Sequence, residues 1–321
     1  MSGGPVLLTG ASGFVGRHAL QALRGRTSLR LLVHQRPLDS SLPDGSEVVA
    51  GDLGDPASLA RICRGIRSIV HLAGYIGEDP RKCEQVNAHG TRLLVTAARE
   101  AGVERVIYLS NAAVYGYAVH RGVGEADAVV APATPISRSR VAAEHAVLAA
   151  RGSVLRPLFV YGEGDSRFVP AIARALRTLP FLINQGRASL SVIAVGDLAR
   201  CIAALAIAEN VGAEPAVFHA TDGHPVTFLE IVRLVANCAG LIVPRVSLPY
   251  LVGRPLLRLA RLGRRWTASD AHRLFLVSHD HFYDSSRLRA ATGLPQPAPM
   301  SVQFEASAEW YRKSINEERT G

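Results

Sequence analysis

Short runs of apolar residues alternate with longer amphipathic stretches through the first half of the chain. The apolar runs predict strands at residues 6–8, 29–33, 46–49, 68–72, 105–109 and 153–156. Helical periodicity predicts helices at residues 14–24, 56–64, 81–101 and 138–150. Strands that alternate with helices in this way are typical of a parallel sheet assembled from βαβ units. The pattern therefore predicts an α/β fold with a doubly wound parallel sheet.

The alternation of short apolar runs with amphipathic stretches changes after Gly164, and we place the predicted domain boundary there. The later pattern predicts a helix at 168–179, a strand at 190–195, a helix at 197–208 and an amphipathic stretch at 302–314. We expect a first domain at residues 1–164, to which residues 190–221 return. We expect a smaller, mostly helical C-terminal lobe at residues 165–189 and 222–321, which binds the substrate.

Composition is that of a globular protein with a generous core. The chain has 321 residues, of which 48% are hydrophobic and 20% charged. No apolar run reaches the roughly 20 residues that span a bilayer. The first residues show no signal-peptide pattern, so we expect a cytoplasmic protein without a transmembrane segment. The four cysteines lack metal-ligand spacing, so we expect reduced thiols and no metal site.

The formal net charge is +9, and arginine carries nearly all of it. Such a balance is found in proteins that bind nucleic acids or acidic small molecules. The arginines are dispersed and no aromatic-interleaved basic strand occurs, so we expect no nucleic-acid partner. One local exception is a predicted helix face that carries Arg254, Arg258, Arg261 and Arg265. A solvated face is the simplest interpretation, and an anionic substrate, a partner or a membrane surface are the alternatives.

A glycine-rich turn joins the first predicted strand to the first predicted helix. Residues 9–16 have the sequence Thr-Gly-Ala-Ser-Gly-Phe-Val-Gly. Glycines at this junction allow a sharp turn, a close approach of backbone N–H groups to a pyrophosphate, and tight packing of the helix on the sheet. The turn predicts a Rossmann-type dinucleotide cradle that contains Gly10, Ser12, Gly13, Phe14, Val15 and Gly16.

The end of the second strand indicates which nicotinamide dinucleotide the cradle holds. A carboxylate there binds the ribose 2′-hydroxyl, whereas an arginine suits a 2′-phosphate. Residues 33–37 have the sequence Val-His-Gln-Arg-Pro, and no acid occurs before Asp39. Arg36, assisted by Arg17, therefore favours NADP(H) over NAD(H).

Ordered motifs follow the cradle along nearly the whole chain. They are Gly-Asp-Leu at 51–53, His-Leu-Ala-Gly at 71–74, Val-Asn-Ala-His-Gly-Thr at 86–91, Tyr-Leu-Ser-Asn-Ala-Ala-Val-Tyr-Gly at 108–116 and Leu-Arg-Pro-Leu-Phe-Val-Tyr-Gly at 155–162. In this order they resemble the extended short-chain dehydrogenase/reductases, the family of nucleotide-sugar epimerases and dehydratases and of 3β-hydroxysteroid dehydrogenase-like enzymes. The resemblance implies further cofactor contacts from Asp52, Leu53, Leu72, Ala73, Gly74, Asn87, Ser110, Arg140 and Pro157.

The residues that carry the family's chemistry are replaced. The family's Ser or Thr position holds Asn111, and its Tyr-x-x-x-Lys pair aligns with Ile136 and Arg140. In the family the tyrosine exchanges a proton with the substrate oxygen, and the nearby cation lowers the tyrosine pKa. Isoleucine has no proton to exchange, so it cannot take the place of the tyrosine. Arginine can still hold the nicotinamide ribose hydroxyls, but it is a poor proton donor because its pKa exceeds about 12.

Two interpretations therefore stay open. In the first, the chain is a small-molecule enzyme with a non-standard mechanism, of reductase, isomerase, cyclase or lyase type. The acid is then replaced from a set near the cleft: Tyr115, Tyr117, His120, His71 and Tyr75. Of these we place Tyr115 and Tyr117, with Asn111 and Arg140, in the candidate catalytic site. In the second interpretation, the chain is a non-catalytic NADP(H)-binding redox sensor or assembly subunit.

The family resemblance also implies a homodimer. Members commonly pair the two helices predicted here at residues 81–101 and 138–150. Small side chains at Ala142, Ala143, Ala146 and Ala149 permit a close helix approach, although a core-facing role is equally natural.

Overall fold

The computed structural model describes residues 4–35, 38, 42, 45–208, 215–260 and 266–317. The strands are β1 (Val6–Thr9), β2 (Leu29–Val33), β3 (Glu47–Ala50), β4 (Ser68–His71), β5 (Arg105–Leu109), β6 (His120–Val123), β7 (Ser153–Pro157), β8 (Phe159–Tyr161), β9 (Phe181–Ile183), β10 (Ser189–Leu190), β11 (Val192–Ala194), β12 (Ala216–Ala220), β13 (Val226–Thr227), β14 (Val246–Leu248) and β15 (His281–Tyr283). The helices are α1 (Phe14–Leu23), α2 (Pro56–Cys63), α3 (Pro80–Lys82), α4 (Gly90–Glu100), α5 (Pro135–Ala149), α6 (Val169–Thr178), α7 (Val195–Ile207), α8 (Phe228–Ala239), α9 (Tyr250–Ala260), α10 (Ala268–Ser278), α11 (Ser286–Thr292), α12 (Met300–Gln303) and α13 (Glu305–Glu317).

Seven parallel strands form the main sheet in the order β12-β7-β5-β4-β1-β2-β3. Helices α1 and α7 bury their apolar faces on one side of the sheet. Helices α2, α4 and α5 cover the other side. The strand order reverses beside β1, and open sheets of this kind bind ligands at the carboxyl ends of the strands at that point. The predicted Rossmann-type doubly wound fold is confirmed.

The long helix predicted at residues 81–101 is interrupted. Residues Cys83–His89 form a π-helical segment between α3 and α4. A π-helical segment holds more residues per turn than an α-helix and is frequent at functional sites. Here it carries Asn87, whose side chain is buried beside the carboxyl edge of the sheet.

Short strands accompany the helices of the C-terminal lobe. Strands β13, β10, β15 and β6 form a second sheet, and α6, α8 and α13 surround a separate core. The lobe is helical as predicted. The strand predicted at residues 190–195 corresponds to β11 and the last residue of β10, whereas β6, β13 and β15 were not predicted. In the returning segment, α7 packs on α1 and β12 is an edge strand of the main sheet. The domain boundaries themselves stay a prediction.

The described residues contain neither a membrane-spanning helix nor a cluster of metal ligands. Among the helices described, none has the length and apolar character needed to cross a bilayer. In the same residues, no three His, Cys, Asp or Glu side chains are grouped to hold a metal ion. The four cysteines are free thiols, and three of them are buried.

Candidate active site

The glycine-rich turn leaves no space for side chains. Gly10 has φ +75°, and a Cβ atom there would lie 2.6 Å from the backbone nitrogen of Ala73. A Cβ atom on Gly16 would overlap the carbonyl oxygen of Gly10. Gly13 precedes α1 and offers no side-chain cap, so the first amide groups of α1 stay open to an anion. The residues present therefore fit a dinucleotide pyrophosphate.

Other expected cofactor residues surround this turn. The hydroxyl of Thr9 accepts a hydrogen bond from the Ala73 amide at 3.2 Å, which fixes the loop after β4. Asp52 is exposed and accepts from the Gly54 amide at 2.9 Å. Ser110 is buried, and its hydroxyl has no hydrogen-bond partner within the described part of the chain. A ligand at the carboxyl end of β5 can satisfy that hydroxyl, which again fits a bound cofactor.

Four further residues of the expected cofactor site differ in how deeply they are buried. Leu53 and Pro157 are buried, Leu72 is partly buried, and Gly74 is exposed. A Cβ atom on Gly74 would lie 3.1 Å from the side-chain oxygen of Asn87. Arg36, on which the NADP(H) expectation depends, lies outside the described residues.

Asn111 is engaged as a structural cap. Its side-chain oxygen accepts from the Ala113 amide at 2.7 Å, and its side-chain nitrogen donates to the Leu158 carbonyl at 3.3 Å. An amide nitrogen has two N–H groups, so one donor remains for a ligand. Asn111 can orient a carbonyl oxygen, but it carries no proton to transfer.

Arg140 is partly buried and points at the end of β5. Its guanidinium donates to the carbonyl of Leu109 at 2.6 Å, immediately before Ser110. Guanidinium has five N–H donors, so others stay available for ribose hydroxyls. One helical turn earlier, Ile136 fills the tyrosine position with a partly buried apolar side chain. The structure thus keeps a cation at this site and removes the acid.

Tyr115 belongs to a buried polar network rather than to an open cleft. Its hydroxyl lies 2.6 Å from Nε2 of His219 and accepts from Arg156 at 2.9 Å. Arg156 also donates to both carboxylate oxygens of Glu144, at 3.0 and 2.5 Å. Burial raises the pKa of Tyr115 and lowers the pKa of His219 to about 4. Tyr115 is 1% exposed, so the expected catalytic role does not suit its position.

The candidate histidines are also interior residues. The two ring nitrogens of His71 lie 2.7 and 2.9 Å from the hydroxyls of Thr9 and Thr91. Burial, with a smaller contribution from the Arg140 charge, lowers the pKa of His71 to about 3, which keeps it neutral. His120 is buried against the rings of Tyr115 and Tyr283, and burial lowers its pKa. Both histidines are therefore packed interior residues and do not suit the role of a proton donor to a substrate.

Tyr117 lies at the surface, on an aromatic cluster contributed mainly by the C-terminal lobe. The cluster consists of Tyr117, Tyr250, His272, Phe275 and His279. The Tyr117 ring meets the rings of His272 and Phe275 edge-on at centroid distances of 5.1 Å, and 48% of the residue is exposed. Nε2 of His272 donates to the carbonyl of Gly116 at 2.9 Å, which holds the turn before Tyr117.

Tyr75 is tied to the first turn of α5. The side chain of Asn87 accepts from the Tyr75 amide at 2.7 Å and donates to the Tyr75 carbonyl at 3.0 Å. The same Asn87 nitrogen donates to the Ser139 hydroxyl at 3.0 Å, and that hydroxyl donates to the Ile136 carbonyl at 2.9 Å. The backbone of Tyr75 is therefore linked through two side chains to the position of the missing tyrosine, whereas its ring lies against Gly77, where an added Cβ atom would overlap the phenol oxygen.

Contacts on both sides fix the loop that follows Tyr75. Its backbone accepts from Arg167 at the Ile76 carbonyl, 3.2 Å away, and Glu78 accepts from the Thr267 hydroxyl at 2.8 Å. The Lys82 ammonium lies 5.9 Å from the centroid of the Tyr75 ring. Lys82, Arg167 and Thr267 were not predicted as site residues. The sequence feature that points to Lys82 is the rarity of lysine, because the chain contains only two lysines.

A cavity of about 570 Å³ opens in the C-terminal lobe next to the aromatic cluster. Its walls include Val119, Arg121, Asn184, Gln185 and His279. Asn184 and Gln185 have φ values of +47° and +58°, a conformation that costs about 1–3 kcal/mol at non-glycine residues and gathers at ligand sites. The lobe therefore offers a solvent-open cavity with room for a ligand that is larger than a few atoms.

The fold and the cradle together define a dinucleotide-binding protein of the Rossmann class. The chain belongs to the NAD dependent epimerase/dehydratase family, whose family model matches residues 6–220. It is thereby an extended short-chain dehydrogenase/reductase, as its sequence motifs implied.

Known relatives cover nearly the whole chain. It is 30% identical to the ceramide reductase of Caulobacter vibrioides, over 96% of this chain and 95% of that protein. It is 27% identical to the sterol demethylase protein B of Methylococcus capsulatus, over 96% and 98%. Among solved structures, MoeE5 in complex with UDP-glucose and NAD is 26% identical, with a TM-score of 0.74 and coverage of 97% and 100%.

Proposed function

We propose that this protein is an NADP(H)-dependent reductase that acts on a lipophilic carbonyl compound, and that Tyr75 replaces the missing tyrosine as its acid. One observation carries the proposal: the cradle is intact, while the proton donor has gone from α5 and the backbone of Tyr75 is held to the same turn through Asn87 and Ser139. A family member that keeps the cofactor site and brings another phenol to the substrate oxygen can still run the family's chemistry.

The roles divide as follows. A nicotinamide dinucleotide bound in the cradle supplies the hydride. Asn111 donates its remaining N–H to the substrate oxygen, and Arg140 holds ribose hydroxyls while it stays on the Leu109 carbonyl. Tyr75 gives the proton that the oxygen takes up, and solvent restores it. The Lys82 ammonium lies 5.9 Å from the Tyr75 ring centroid, so it contacts the face of the ring.

The substrate class rests on the lobe and on the relatives. The aromatic cluster leaves Tyr117 48% exposed where it packs on Phe275, and exposed aromatic surface of this kind suits an apolar ligand. Two of the relatives carry ceramide and sterol in their names, and both match over more than nine tenths of their length. We therefore favour a lipophilic carbonyl compound over a nucleotide sugar.

A turnover assay with paired variants tests the proposal. Oxidation of NADPH is followed with a long-chain β-keto amide and a steroid ketone, and reduction of NADP⁺ by UDP-glucose serves as the nucleotide-sugar comparison. Tyr75→Phe should lower kcat by about a hundredfold or more, the range of a lost general acid, with an unchanged Kd for NADPH. Tyr117→Phe should mainly raise KM. If Tyr117→Phe abolishes turnover and Tyr75→Phe does not, Tyr117 is the acid.

The non-catalytic interpretation has its own signature in the same assay. A redox sensor or assembly subunit binds NADPH tightly and turns over none of the carbonyl compounds. Cofactor preference is measured separately, by the Kd values for NADPH and NADH. Arg36→Ala should weaken NADPH binding and leave NADH binding unchanged, because only the 2′-phosphate loses its partner.

We also propose a homodimer through α4 and α5. Ala149 is exposed and Ala142 and Ala146 are partly exposed, which allows a second helix to approach closely, whereas Ala143 is buried in the core. Light scattering of the wild type and of Ala149→Arg tests it. The wild type should be dimeric and the variant monomeric.

A further inference from the structure

Helix α9 exposes apolar side chains on the side that faces away from the protein. Its residues fall into four stripes of side chains spaced by four positions. The inward stripe is Gly253 and Leu257, which are buried and partly buried. A Cβ atom on Gly253 would overlap the Ile183 side chain, so the helix lies directly on the end of β9.

The stripe opposite to this contact is apolar. It consists of Leu251 and Pro255, and Leu251 is 83% exposed. Val252 and Leu256 form the neighbouring stripe and are exposed as well. An ordinary surface helix turns its apolar face inward and its charged face outward, so α9 is reversed. Contiguous exposed apolar surface of this kind marks an interaction site.

Arginines lie on the other side of the apolar stripe. Arg254 and Arg258 form the fourth stripe and are exposed, and Arg245 is exposed in the segment that precedes β14. Ile242 in the same segment and Val246, the first residue of β14, add exposed apolar side chains. Arginine side chains beside apolar ones suit an anionic lipid surface, because the apolar groups enter the acyl boundary while the guanidinium groups meet the headgroup phosphates.

We propose that α9 and residues 242–246 dock the protein on an anionic lipid bilayer, with Leu251, Val252 and Leu256 inserted. Two features favour this occupant over a second protein copy. The positive charge on the helix complements anionic headgroups and repels an identical arginine-bearing face. In addition, Tyr250, the first residue of α9, contacts Phe275 and His279 of the aromatic cluster, so the docked face adjoins the lobe cavity.

The inference rests on this surface alone and does not depend on the proposed reaction. A bound bilayer would present lipophilic molecules next to the aromatic cluster, which is an advantage for such a substrate but not a premise. Vesicle binding and turnover are therefore separate measurements, and either can fail without the other.

Vesicle co-sedimentation of the full chain tests the proposal. The wild type should bind vesicles of phosphatidylglycerol and phosphatidylcholine, bind pure phosphatidylcholine weakly, and dissociate as salt is added. The double variant Leu251→Glu/Val252→Glu should lose binding. Arg254→Ala/Arg258→Ala should weaken it by about fivefold per arginine removed, as expected for a charge near an anionic membrane.

A matched control uses another exposed valine. Val302, on α12, is 64% exposed, so Val302→Glu makes a similar change outside the docking face and should bind vesicles as the wild type does. Unchanged NADPH binding reports that each variant is folded. The proposal is overturned if the wild type ignores anionic vesicles or if Leu251→Glu/Val252→Glu binds them equally. It is also overturned if that variant converts a dimer to a monomer, because α9 is then covered by a second copy.

Discussion

The buried ion pair between Glu144 and Arg156 offers a sharp test of how α5 is held on the sheet. The pair joins the middle of α5 to β7, and its side chains are 1% and 6% exposed. Arg156 makes two charge-assisted hydrogen bonds to Glu144 and a third to Tyr115. No water can replace Arg156 easily at this depth, so its removal leaves the Glu144 carboxylate buried without its charged partner.

The size of the effect follows from that arrangement. Arg156→Met or Glu144→Leu alone should lower the free energy of unfolding by about 3–5 kcal/mol, the usual result of stranding one buried charge. The double variant strands no charge and should lose only about 1–2 kcal/mol, from the hydrogen bond that the Tyr115 hydroxyl no longer accepts from Arg156. The single effects are therefore far from additive, and the coupling energy should exceed about 3 kcal/mol.

Urea unfolding of the four proteins measures this cycle, with circular dichroism and an unchanged m-value as the condition for comparison. Tyr115→Phe is the control, because it removes one hydroxyl and leaves the ion pair; it should cost about 1–2 kcal/mol. If the double variant is as unstable as the sum of the singles, the pair does not act as a unit and the buried-network interpretation is refuted.

Two further predictions concern the cradle and the pH dependence of stability. Gly16→Ala should weaken NADPH binding by about tenfold or more because its methyl group meets the Gly10 carbonyl, whereas Gly196→Ala, with open space around it, should not. Burial raises the pKa of Asp222 from 3.8 to about 6, so the unfolded chain loses this proton first and stability falls as pH rises from 3.8 to 6. Asp222→Asn should remove that fall, up to about 3 kcal/mol, in unfolding curves recorded from pH 4 to pH 7; an unchanged profile would contradict the assigned pKa.

The first half of the fold was predictable because its signals are local. Each predicted strand of that half lies within one or two residues of the observed one, since a buried parallel strand is a continuous apolar run. The strands of the lobe have two to four residues, too few to show a period. Strand β10, for example, exists because it pairs with β13 and β15, which follow much later in the chain.

The candidate site was likewise predictable from the sequence only in part. The cradle was predictable because the spacing of its glycines is a local signal of a tight turn between a strand and a helix. The catalytic candidates were not, because a motif places a residue at the edge of the sheet but does not set the direction of its side chain. Tyr115 turns inward to His219, 104 positions away, and His71 lies between hydroxyls from two other elements. Such partners are known only once the chain is folded.

The family residues that α5 retains and those that it replaces differ in burial. The family pattern along this helix contains a serine and a glutamate as well as the tyrosine and lysine. Ser139 and Glu144 match that pattern, and both are buried, one on Asn87 and the other on Arg156. Ile136 and Arg140 depart from it, and both are only partly buried. The changes thus fall at the more accessible of these positions, and the contacts that seat the helix are intact. A scaffold that had lost its ligand altogether would not need to keep a cation at Arg140 beside the Ser110 hydroxyl, which is why a relocated acid explains the site better than an abandoned one.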